Sequence, residues 1–153
     1  MRLNATMKTQ PFVVTPKDYD PALHVLGTKV TVLASNAATQ SYEITLQQGD
    51  EGTGPPLHSH NWDESFYVLK GKVEFSCAGK TVMCTPGTLV HVPAGTVHGF
   101  RYGAGGGEML ELTGQGGSAT QMFTAISKGI PPGPPDIPRV LEVLKQNGVT
   151  VAA

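Results

Sequence analysis

From residue 64 to residue 112 the chain is interrupted at Gly71, Gly79, Pro86-Gly87, Pro93-Ala94-Gly95 and Gly103 to Gly107. Residues of these types favour turns, so little room is left for anything but short elements. The intervals are Glu64–Leu69, Lys72–Cys77, Lys80–Cys84, Thr88–Val92, Thr96–Tyr102 and Glu108–Leu112. Upstream, Lys29–Leu33 and Tyr42–Leu46 alternate apolar and polar side chains, the mark of a half-buried strand. About eight short strands joined by tight turns predict an all-β barrel or double-sheet architecture. With 19 glycines, 12 prolines and only 15% charged residues, the composition agrees.

The pattern changes after Gly114. A short helix is expected over Ser118 to Ile126, and Pro131-Pro132-Gly133-Pro134-Pro135 forces an extended linker. A second helix follows from Asp136 to Asn147, where Ile137, Val140, Leu141 and Leu144 recur at helical spacing, with Asp136 as N-cap and Gly148 as terminator. This tail is expected to pack on the exterior of the sheet structure. The chain therefore reads as an N-terminal arm (1–22), a β-barrel domain (23–115), and a Pro-rich linker with a C-terminal helical extension (116–153).

A formal net charge of −1 gives no basic footprint for nucleic acid. Met1 to Pro16 has no continuous apolar core of the kind a secretion signal needs, and no stretch approaches the length of a membrane span. No membrane association and a cytoplasmic location are expected. Cys77 and Cys84 are then expected to be free thiols.

His58 and His60 stand at i and i+2, which puts both imidazoles on one face of an extended segment. Glu64 follows at the start of one strand and His98 lies one strand pair later. Three neutral imidazoles and a carboxylate suit one divalent ion of Fe, Mn, Ni, Co, Cu or Zn and leave coordination positions open. His24 and His91 lie outside this set, and ordinary packing or surface hydrogen bonding is expected of them. Trp62, between the ligands, either shields the site or anchors its loop.

The spacing is fuller than the ligands alone. Gly52, five residues, His58, Ser59, His60, three residues, Glu64, six residues and Gly71 form one element. Gly87, five residues, Pro93, Ala94, Gly95, two residues and His98 form another. Together they resemble the two motifs of the cupins, over roughly Gly49 to Leu112. The resemblance implies a double-stranded β-helix, or jelly-roll barrel, holding one metal ion on His58, His60, Glu64 and His98. One departure is Tyr102, where the second motif usually carries Asn. Strand parity sets Tyr102 on the face of His98 and Phe100, and Phe66 and Val68 on that of Glu64. Phe66, Val68, Phe100 and Tyr102 are thus the expected substrate pocket.

The same resemblance, to quercetin dioxygenase-like cupins, implies a metal-dependent dioxygenase acting on a small aromatic or enol, flavonol-like substrate. Glu64 is then both ligand and proton acceptor. A non-redox cupin, such as a polyketide cyclase or isomerase, and a non-catalytic metal-containing binding module are the alternatives. Besides its small-molecule substrate, the expected partner is a second copy of the chain, in a homodimer with the N-terminal arm crossing over.

Overall fold

The computed structural model describes residues 9–153, so residues 1–8 of the expected arm lie outside the described residues. Residues 9–22 contain a 3₁₀ turn at Pro16–Asp18, where the Thr15 amide donates to Asp18 Oδ2 at 2.9 Å. The first hairpin joins β1 (Leu23–Val25) to β2 (Thr28–Ala34) through Leu26 and Gly27. Both turn residues have positive φ, 49° and 87°, matching the right-handed twist of the flanking strands. A four-residue helix, α1 (Asn36–Thr39), leads into β3 (Glu43–Gly49). Its N-cap, Ser35, accepts from the Ala38 amide.

Next come β4 (His58–His60), β5 (Glu64–Cys77), β6 (Lys80–Cys84), β7 (Leu89–Val92) and β8 (His98–Thr113). The sheet is antiparallel and curls on itself. Along one path its order is β1-β2-β3-β8-β4, while β5 pairs with β6, β7 and β8. This is the all-β barrel that the turn pattern predicts.

Two pairs of expected strands are fused. Gly71 lies inside β5 and Gly103 to Gly107 inside β8, because the strands bend together there instead of ending. Gly71 pairs with Gly107 and Val73 with Tyr102, so the register shifts by an irregular bulge between them. A Cβ on Gly71 would fall 2.1 Å from the Gly106 carbonyl oxygen, and only glycine permits this approach.

The tail is more closely integrated than the sequence suggests. Helices α2 (Ala119–Gly129) and α3 (Ile137–Gln146) form near the expected positions, and Asp136 caps α3 by accepting from the Arg139 amide. Gly148, at φ 78°, then turns the chain into a further strand, β9 (Val149–Val151), which pairs with β4. The helices do not lie on the outer wall. Met122, Phe123, Ile126, Val140, Val143 and Leu144 pack with Val30 and Trp62 in one apolar cluster over the barrel mouth. A second cluster fills the barrel itself, built from Phe66, Val68, Phe75, Phe100, Tyr102 and Met109 with their neighbours. Cys77 and Cys84 are free. Among the described residues no helix is long and apolar enough to cross a membrane.

Candidate metal centre

Between the two apolar clusters runs a polar layer fixed by strand register. Glu43 and Glu64 both pair with Thr113, and Thr45 and Phe66 both pair with Glu111. His58 pairs with His98 across the β4–β8 junction. The sheet thereby brings together residues forty positions apart.

The ligand atoms of His58, His60 and His98 lie within 4.8 Å of one another. Each ring is oriented by a main-chain carbonyl. His58 Nδ1 donates to Pro56 O at 2.7 Å, His60 Nδ1 to Trp62 O at 3.1 Å and His98 Nδ1 to Thr96 O at 2.8 Å. A carbonyl oxygen can only accept, so all three Nδ1 atoms carry hydrogen and the neutral rings present lone pairs at Nε2. Glu64 completes the group, with Oε1 2.9 Å from His60 Nε2 and Oε2 3.0 Å from His98 Nε2. His60, Glu64 and His98 are all buried.

This arrangement fits a divalent transition ion. His60 Nε2 is buried and makes no hydrogen bond, although Glu64 Oε1 lies 2.9 Å away. The contact between His98 Nε2 and Glu64 Oε2 sets a lone pair against a carboxylate unless a cation or an added proton intervenes. Such a donor set of imidazole nitrogen and carboxylate oxygen is the one such ions favour.

Electrostatics reinforce the point. Burial opposes ionisation of Glu64, yet its close contacts with His60 and His98 outweigh it and hold the carboxyl at about 2. Burial alone would lower His98, but its contact with Glu64 wins and raises it. His58 has no such partner. Burial, followed by repulsion from His98, pushes it down to about 4, so it stays a neutral donor.

Trp62 both shields and anchors. Its ring stacks on His60 with centroids 4.1 Å apart and planes 7° from parallel, while its Nε1 donates to Glu64 Oε1 at 3.2 Å. Of the expected pocket residues, Phe66 and Phe100 line the cavity that His58 and Glu64 face. Val68 and Tyr102 do not; they pack in the barrel cluster. Parity assigns a side chain to a face but not to a depth, and the Tyr102 ring lies deeper, against Gly49 and Gly107. His91 makes a surface hydrogen bond with Ser65 Oγ at 2.9 Å, outside the centre.

Two cavity residues went unseen in the sequence. Glu111 is buried, and Gln47 Nε2 donates to its Oε2. Burial, then the charges of Glu64 and Glu43, raise the Glu111 carboxyl well above the ordinary range. The signal was available in the expected strand Glu108–Leu112, where Glu111 shares parity with Met109.

A curled antiparallel barrel with three imidazoles and a carboxylate on its inner wall is the architecture of the cupin fold, with a candidate metal centre. Residues 42–112 match the family model described as Cupin_2, the Cupin domain, and lie within the part of the chain that carries this fold. It is 34% identical to quercetin 2,3-dioxygenase of Bacillus subtilis over 106 residues, 62% of this chain but 32% of the relative. The chain thus spans about a third of that enzyme's length. Among solved structures, an RmlC-like cupin from Shewanella frigidimarina superposes with a TM-score of 0.65 at 18% identity, over 74% of this chain and 99% of that one. The polyketide cyclase RemF of Streptomyces resistomycificus gives 0.59 at 22% identity, over 69% and 80%.

Proposed function

We propose that the chain binds one divalent transition metal ion on His58, His60, His98 and Glu64 and is a dioxygenase acting on a small aromatic or enolic substrate. The observation that carries this reading is the convergence of three Nε2 atoms whose Nδ1 partners are all main-chain carbonyls. The likeness to a quercetin 2,3-dioxygenase supports the choice of reaction. When bound, the ion supplies Lewis acidity and, for a redox-active metal, one-electron chemistry.

The protein's own groups do the rest. Pro56, Trp62 and Thr96 carbonyls hold the three rings in register. Glu64, ionised and buried, is the group able to accept the proton of an enolic hydroxyl at Oε1 or Oε2. Phe66 and Phe100 keep water from the cavity wall beside it.

Elemental analysis of protein purified without added metal, paired with oxygen uptake over catechols, flavonols and 1,3-diketones, tests the reading. Stoichiometric metal with oxygen consumption is expected. Zinc alone, no oxygen uptake and conversion of a diketone would instead support a non-redox cupin; a tight complex without product would support a binding module.

We also propose a homodimer in which the N-terminal arm crosses to the partner. Phe12 and Val13 in the arm are 49% and 86% exposed, and Leu89 pairs with Tyr67 on an outer sheet face where both are exposed. A monomeric mass in solution would refute it.

A further inference from the structure

The cavity in front of His58 and Glu64 is small: the centre of a water molecule can reach only about 60 Å³ of it, which leaves space for a single substituted ring between its walls. Pockets for drug-sized ligands run to several hundred Å³. A three-ring flavonol therefore does not fit it. The limit is set from outside the barrel: Met122, Phe123 and Ile126 of α2 and Leu144 of α3 form the wall across from Phe66 and Phe100. That wall is held in place by β9, whose Val149 pairs with His60 itself.

The lining is otherwise apolar except on one side. Besides His58 and Glu64 it offers Thr28, Gln47 and Glu111. Gln47 and Glu111 are each 3% exposed and hydrogen-bonded to one another. Glu111 Oε1 receives only a long contact, 3.4 Å, from Thr113 Oγ1. A buried polar pair with hydrogen-bonding capacity left over, facing an apolar cavity, is suited to fixing one oxygen of a ligand.

We propose that the cavity takes a compact keto-enol or hydroxy-carbonyl compound, with its enolic oxygen at the His58–His60–His98–Glu64 cluster. A further oxygen rests on the Gln47–Glu111 pair, and Met122, Phe123 and Leu144 cap the apolar body. This rests on the metal-dependent reading above and narrows its substrate class. Gln47 and Glu111 become specificity-determining residues, and the helical tail becomes the device that excludes larger ring systems.

Protein loaded with cobalt(II), its stoichiometry measured first, separates the two ideas. Kojic acid, a compact hydroxypyranone with a separate hydroxymethyl oxygen, and quercetin are then titrated by calorimetry and by the cobalt absorption bands. Kojic acid is expected to bind at least tenfold more tightly. Met122→Ala, or Leu144→Ala as an independent variant, should raise quercetin affinity at least tenfold. Glu111→Leu, or Gln47→Leu if the first does not fold, should weaken kojic acid about tenfold with cobalt stoichiometry unchanged. Equal or tighter binding of quercetin to the cobalt-loaded wild type overturns the size limit. Unchanged kojic acid binding in a folded Glu111 or Gln47 variant overturns the anchor. Failure to hold stoichiometric cobalt overturns the metal reading, and this one with it.

Discussion

The two apolar clusters on either side of the polar layer are built differently. The barrel cluster draws on inward positions of β5 and β8, and Phe66, Phe75 and Phe100 meet there with centroids 5.0 to 5.7 Å apart. The mouth cluster joins Val30, Trp62, Met122, Leu144 and Val149, residues scattered across the whole chain. Only the rim of the first, Phe66 and Phe100, reaches the cavity, whereas Val30, Met122, Phe123, Ile126, Leu144 and Val149 of the second wall it. The contrast separates what specifies the fold from what shapes the site: strand pairing makes the barrel, and the tail decides what can enter it.

Truncating one ring in each cluster offers the sharpest way to break this contrast. Phe75→Ala is expected to cost about 3–5 kcal/mol in denaturant unfolding, as full removal of a packed ring does. Phe123→Ala should cost less, because its ring already borders empty space and loses fewer contacts. Equal costs would mean the mouth is packed as tightly as the barrel. Next in size, His60→Ala should lower metal affinity more than about a hundredfold, beyond the loss of a supporting group. Retained stoichiometric metal after dialysis would sink the ligand assignment.

Acidification should act on the layer between the clusters. Glu64 raises His98 above its ordinary 6.5, so below that raised value the metal-free site holds a proton that the ion must displace. Metal affinity should therefore rise with pH up to the raised His98 value and fall by about tenfold per pH unit below it. Titration at several pH values gives the slope, and a flat profile would contradict it. Smallest is Trp62→Phe, which keeps a ring on His60 but removes the donor to Glu64. A loss of about tenfold in metal affinity is expected when the folded variant is titrated with the ion.

The barrel was readable because alternation and turn residues are local signals. Both Phe66 and Phe100 could be placed facing inward from parity alone, as could Glu64 and His98. Continuity through the glycines was not readable: Gly71 looks like a strand end, and only its pairing with Gly107 shows a bend. Depth was lost for the same reason, and Tyr102 and Val68 share the inward face yet miss the cavity. Strand β9 was hidden because Val149–Val151 is three residues long and acquires its meaning from β4, a partner with no local trace in its sequence. Glu111 was not legible as a buried group: its parity with Met109 speaks for the inner face, but Leu110 and Leu112 make the opposite face of the same strand the more apolar one.

The pairing of β4 with β9 has a consequence for biosynthesis. His58 and His60 leave the ribosome about ninety residues ahead of the strand that covers them. Until Val149–Val151 emerges, the histidine strand has an open edge, the kind of surface on which stray strands dock. A prematurely terminated product would keep every proposed ligand and still lack the seal around them. The cover over the proposed metal centre thus arrives only with Val149–Val151, after all four proposed ligands.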